Sequence, residues 1–163
     1  MSAPIAELEK LLASLVREHH ELADAMQLHQ QAMRNLRSDL LASARTQIES
    51  CRNRILAHET RRRVVVQQIV RLHRLQPNPS LQQLAEVVPA YRDRLLKLRE
   101  ELTRLTTQIG RQTTISARLA GAMLGHLNTV VRIVAGAVQQ ASVYTKQGMP
   151  TVASRIGVME AVA

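Results

Sequence analysis

Residues 89–140 read PAYRDRLLKLREELTRLTTQIGRQTTISARLAGAMLGHLNTVVRIVAGAVQQ. In steps of three and four, Tyr91, Leu95, Leu98, Leu102, Leu105, Ile109, Leu119, Met123, Val130 and Ile133 fall on one seam, interrupted by Gln112, Ser116 and His126. That spacing predicts a helix packed lengthwise against other helices. Pro89 suits a first helical turn, where no amide donor is needed, and the next proline is Pro150. At 1.5 Å per residue such a helix is about 75–80 Å long. Its halves differ in character. The first surrounds the Leu seam with charge, from Arg92 to Arg104; the second, from Leu119 to Val138, is apolar on more than one face. A helix of that kind needs more cover than a single neighbour gives.

The rest of the 163-residue chain fits an all-α reading. There is no Phe and no Trp, and Tyr91 and Tyr144 are the only aromatic residues, so Leu, Ala, Val and Met must fill the interior. Those side chains suit narrow helix–helix seams. The one β-branched run, Val64-Val65-Val66, lies inside a helical pattern. We therefore expect an elongated antiparallel helical bundle or coiled coil of three to four long helices plus one short helix. Residues 1–141 would form the bundle domain and residues 142–163 a tail, flexible or docked on a partner.

The first helix is expected to open near Pro4, with a seam of Ile5, Leu8, Leu12, Leu15, His19, Leu22, Met26, His29, Met33 and Leu36. The two histidines read as ordinary seam residues. The pattern then slips by one: Leu41, Ala44, Ile48, Cys51, Ile55, Val65, Ile69 and Leu72 define a new seam. The slip coincides with Ser38-Asp39, both suited to an N-cap. Either a tight turn starts a second antiparallel helix here, or one helix runs through with a stutter. No Gly or Pro marks the place, and we favour the hairpin. Pro77-Asn78-Pro79 is a clear break. Ser80 and Gln83 have the spacing of a capping box for a short helix with Leu81, Leu84, Val87 and Val88 as its apolar face. Gly121 and Gly125 could kink the long helix or admit another helix closely. In the tail, Val152, Ile156, Met159 and Val162 recur at helical spacing.

Composition and spacing argue against catalysis. No Glu has a His three residues after it, so the di-metal bundle motif is missing. His20 and Asp24 share a face, but two ligands do not make a site. No Gly-rich phosphate loop is legible. Lone Cys51 fits packing at a seam and a reducing compartment. No catalytic, cofactor-binding or metal-binding residue is assigned. Glu7, Glu9 and Lys10 break the uncharged run that a secretory signal needs. His126, Asn128 and Arg132 argue against a membrane span at 119–138.

The net charge is +9, from nineteen Arg and three Lys against 13 acidic residues. That balance admits an acidic partner, nucleic acid or anionic lipid. The chain lacks aromatic stacking platforms and any reading module, so we expect no specific nucleic-acid binding. The better candidate is protein binding through the apolar far end: Leu119, Met123, Leu127, Val130, Val131, Val134 and Val138 on the long helix, with Leu124 beside them and Val152, Ile156 and Met159 repeating the spacing. This surface would be covered by the chain's own tail or a second copy when free, and by a client helix lying in a groove when bound. The alternative is that it is simply core. A self-associating coiled-coil or adaptor protein, and a basic nucleic-acid-binding bundle, are the competing functional readings.

Several segments, in order, carry a family resemblance: the turn Arg37-Ser38-Asp39-Leu40; the Arg-rich stretch His58-Glu59-Thr60-Arg61-Arg62; the short helix Leu81 to Val88 ending at Pro89; the long Leu helix; and the tail Tyr144-Thr145-Lys146-Gln147-Gly148. Over nearly its full length the chain resembles the FlgN family of flagellar export chaperones. It departs from the family in the middle of the long helix, where Thr107, Gln108, Arg111 and Gln112 stand in place of the usual asparagines, and in being basic. The resemblance implies a non-enzymatic cytoplasmic chaperone that holds hook–filament junction proteins, by a terminal helix, before type III export. It also implies a C-terminal client site, including Tyr144, contact with the export apparatus, and no cofactor.

Overall fold

The computed structural model describes residues 3–142, and side chains as far as Ala137. Four α-helices follow one another: α1 (Ala3–Arg34), α2 (Ser38–His73), α3 (Leu81–Val87) and α4 (Arg92–Ser142), with a 3-10 turn at Pro89–Tyr91 before α4. There is no strand among the described residues, so the fold is all-α, three long helices plus one short. Contacts divide the chain into two compact units, Met1–Leu119 and Ala120–Ala163.

The first unit is a bundle built on α1. Its core joins Ile5, Leu8, Leu11, Leu12 and Leu15 of α1 to Val65, Val66 and Ile69 of α2, Leu84 and Ala85 of α3, and Leu95 of α4. Each Leu buried in this way contributes about 1.5–3 kcal/mol. Cross-helix bonds give the directions. Glu7 meets Arg61 and Glu18 meets Arg54, so α2 runs antiparallel to α1. Glu9 meets Arg94, His20 meets Glu101, and Gln30 meets Gln112, so α4 runs parallel to α1 within this unit.

Between α1 and α2 the chain turns, and the hairpin reading holds. The turn is made without glycine or proline. Leu36 takes a left-handed backbone, φ 52°. Its N–H donates to the Met33 carbonyl (3.2 Å) and that of Arg37 to the Ala32 carbonyl (3.0 Å), the paired bonds of a Schellman closure. Neither Ser38 nor Asp39 caps α2; the N-cap is Arg37, with no side-chain cap bond. Asp39 instead sits in the first turn, where its charge suits the helix dipole. The Arg37 guanidinium, 2.9 Å away, holds its carboxyl below the usual range.

Pro77-Asn78-Pro79 ends the α2 connection as expected, and Ser80 and Gln83 form the capping box in full, with bonds of 3.2 Å and 2.8 Å. Pro89 opens the 3-10 turn. The expected α1 seam is buried at Ile5, Leu8, Leu12, Leu15, Leu22 and Met33, but Leu36 is exposed because it has become the turn. A second face of α1, unread in the sequence, is also buried: Leu11, Glu18, Ala25 and Ala32, each seven residues after the last. A helix flanked on two sides buries two stripes. This one is carried by small residues and a carboxylate, which periodicity arguments pass over. His19 is half-buried and donates from Nδ1 to the Leu15 carbonyl at 2.7 Å, an ordinary seam role.

The front of α4 keeps the expected seam. Leu95 and Leu105 are fully buried, and Leu98, Leu102, Ile109, Gln112, Ser116 and Leu119 are half-buried. The seam expectation fails further on: Val130 and Ile133 are exposed. Gly121 and Gly125 neither end the helix nor admit a neighbour; a Cβ at either would meet nothing within 4 Å.

Candidate functional site

In the second unit, Leu124, Leu127, Val130, Val131, Ile133 and Val134 are each between 55% and 66% exposed. At 100° per residue, all but Ile133 fall within an arc of about 120°, the width of an ordinary buried helix face. Here it faces out. A contiguous apolar face of this size marks an interaction surface more often than a chance feature of a soluble chain. The polar residues Asn128, Thr129 and Arg132 lie on the other side of the helix. No acidic residue occurs anywhere from Leu102 to Met159, so a partner meets no negative charge on this segment.

The sequence-derived site residues are placed as follows. Leu127, Val130, Val131 and Val134 are exposed and share the face. Met123 is half-buried on the same side of α4, and Leu119, also half-buried, is the last residue of the first unit. Val138 belongs to α4, but its side chain is not among those described. Tyr144, Val152, Ile156 and Met159 lie outside the described residues. Leu124, set beside these residues by its spacing, is exposed on the same face, whereas Ile133 is exposed outside it.

By length and composition, the span Pro89–Ala137 contains a stretch apolar enough to cross a membrane, with none of it buried. Arg132 and His126 stand within the exposed segment. A membrane span tolerates such groups only at a cost of a few kcal/mol, whereas at a protein–protein surface they can stay in water.

The first unit holds a second polar centre. Glu18, with its side chain 6% exposed, receives the Arg54 Nε at 2.7 Å, while Arg54 Nη2 reaches Glu21 at 2.7 Å and Nη1 reaches Ser50 at 2.8 Å. The same guanidinium lies 3.3 Å from Cys51 Sγ. Among the described residues, Glu18, Glu21 and Cys51 form a group with metal-ligand chemistry. Arg54 already supplies the positive charge that a cation would bring, and it bonds all three. Burial pushes the Cys51 thiol up, away from the thiolate that a nucleophile or ligand requires. The arrangement ties α1 to α2.

No curated protein and no solved structure matches the chain significantly. The profile of the FlgN protein family matches residues 1–151, which is nearly the whole chain. The chain therefore belongs to the FlgN family, a family of flagellar export chaperones rather than enzymes.

Proposed function

We propose that the protein is a cytoplasmic chaperone that binds a hook–filament junction protein through a terminal helix of that client and holds it unassembled before type III export. The observation that carries the reading is the exposed apolar face of α4 from Leu124 to Val134. An amphipathic client helix would lay its apolar side on this face, with anchors at spacings of three and four on both partners. Covering four or five such side chains, at about 1.5–3 kcal/mol each, supports micromolar binding after the cost of association. Met123, beside the face, makes an adaptable contact, suited to a client that must later be released. The tail, residues 142–163 with Tyr144, Val152, Ile156 and Met159, would extend the same surface. Handover would require contact with an export-apparatus component.

The test uses purified hook–filament junction proteins as clients and two altered chaperones, Val134→Asp and a truncation after Ala141. Circular dichroism first establishes that both are folded. Client affinity should fall at least about tenfold for Val134→Asp, because a buried carboxylate without a partner opposes binding. Full-strength capture by both altered proteins would reject the surface. Loss of a dimer instead of loss of client binding would favour self-association.

A further inference from the structure

The first unit contains an open groove that the α4 face does not involve. Two adjoining cavities of about 410 Å³ and about 390 Å³ share Glu59 and Thr106 and so form one trough. Its floor is α1, at Leu12 and Leu22; one wall is α2, at Ile55 and Leu56; the other is α4, at Leu102 and Ile109. Leu56 on the wall is 67% exposed, although it points no charge or hydroxyl to solvent. The trough spans eleven residues of α1, from Leu12 to Leu22, which is about 15 Å or three helical turns.

Three helices around an empty fourth position are an incomplete four-helix bundle. The structure fills one end of that position itself. Helix α3 puts Leu84 and Ala85 into the core and Leu81 at the end of the trough. Beyond Leu81 nothing continues the layer among the described residues.

Charge identifies the occupant. Arg52 and Arg63 line one cavity and Arg99 the other, all exposed, and among the described residues none of them has an acidic partner. The single lining acid, Glu59, is already bonded to Arg62 at 2.9 Å. The lining threonines offer little to a strand or an extended peptide, since Thr103, Thr106 and Thr107 each donate to a carbonyl of their own helix. The net charge of +9 opposes a second copy at an arginine-rimmed groove. The chain's own residues 143–163 carry Lys146 and Arg155 against Glu160, with no acidic excess.

We propose that this groove docks an acidic amphipathic helix of a partner protein, about three turns long. Its apolar stripe would rest on Leu22, Ile55, Leu56 and Ile109, and its flanking carboxylates would pair with Arg52, Arg63 and Arg99. Bound there, it continues the layer that α3 begins and closes the bundle. The site is separate from the client face of α4.

The probe is a blocked synthetic peptide of roughly four turns, with Leu at positions three and four apart and Glu flanking them, labelled for fluorescence anisotropy. A second peptide replaces every Glu by Lys. With the full chain, the Glu peptide should bind, weaken as salt rises, and outbind the Lys peptide at least about tenfold. The triple variant Arg52→Glu, Arg63→Glu, Arg99→Glu should lower its affinity by roughly tenfold or more, with an unchanged circular dichroism spectrum. Leu56→Asp should do the same, and Val134→Asp should change nothing. Equal binding of the two peptides, no binding of either, or binding lost by Val134→Asp and kept by the arginine variant would each overturn the proposal. So would a dimer, seen in sedimentation, that Leu56→Asp dissolves.

Discussion

The front and back of α4 share one period and have opposite surroundings. From Leu95 to Ile109 the residues at spacings of three and four are buried or half-buried in the bundle; from Leu124 to Val134 residues at the same spacing stand more than half exposed. Periodicity therefore reports that a face exists and says nothing about what covers it. Charge separates the halves better. The front carries Asp93, Glu100 and Glu101 among its basic residues, with Glu101 bonded to both Arg104 (2.6 Å) and His20 (3.0 Å). The Arg104 guanidinium, with help from His20, holds that carboxyl below its usual range. A helix that is finished on its solvent side has such pairs. The back half has none among the described residues and is apolar where the front is charged.

The largest expected effect follows directly. Leu105→Ala removes a side chain that is 1% exposed, and should cost about 2–5 kcal/mol in urea unfolding. Val131→Ala, at 63% exposure, should stay within about 0.5 kcal/mol. Equal costs would mean that the back face is packed in solution by something the isolated fold does not show, and the contrast between the halves would collapse.

A smaller effect is expected in the middle of the helix. Gln112 donates from Nε2 to the Ala23 carbonyl at 3.2 Å, and Gln30 reaches the Gln112 carbonyl and Ser116 Oγ at 2.9 Å and 3.2 Å. The Gln112 Oε1 is buried with no partner. Gln112→Met gives up one hydrogen bond worth about 0.5–1.5 kcal/mol and relieves an unmet acceptor costing about 1–3 kcal/mol. Stability should therefore hold or rise by about 1 kcal/mol, measured by the shift of the urea midpoint. A loss above 2 kcal/mol would show that the amides are a required part of the α1–α4 contact.

Much of this fold was legible because its signals are local. The Pro77-Asn78-Pro79 break, the Ser80–Gln83 capping box and the Leu seams depend on neighbours within a turn or two, and the structure keeps them. What was illegible depends on packing at a distance. The turn between α1 and α2 was legible as a slip of the seam, but not its closure by a left-handed Leu36 where a glycine is usual. Glu18 looks like a surface residue until Arg54, thirty-six positions later, makes its burial tolerable. The groove over α1 has no sequence signature, because its walls come from two helices separated by α3. Of the exposed apolar face, Leu127, Val130, Val131 and Val134 were readable as a surface. Their exposure was not, since a buried seam and an unpartnered one are spelled alike.

The glycines of the back half offer the finest test. Gly121 and Gly125 sit inside a helix, where glycine costs roughly 0.5–1 kcal/mol relative to alanine. In the front half a packing reason could justify such a cost, but a Cβ at either position meets nothing within 4 Å. Within the isolated chain both are therefore purely destabilising, and Gly121→Ala with Gly125→Ala should raise helicity and add about 1–2 kcal/mol to the local stability of this segment, read by amide hydrogen exchange. The same double variant then asks what the glycines are for. A Gly-x-x-x-Gly spacing lets two helix backbones approach closely, and an added methyl pair pushes them apart. Both glycines share the side of Asn128 and Arg132, so a client helix confined to the Leu127–Val134 face should be captured unchanged, whereas one that crosses α4 at the glycines should lose roughly tenfold. If stability rises and capture rises with it, the glycines serve local unwinding instead.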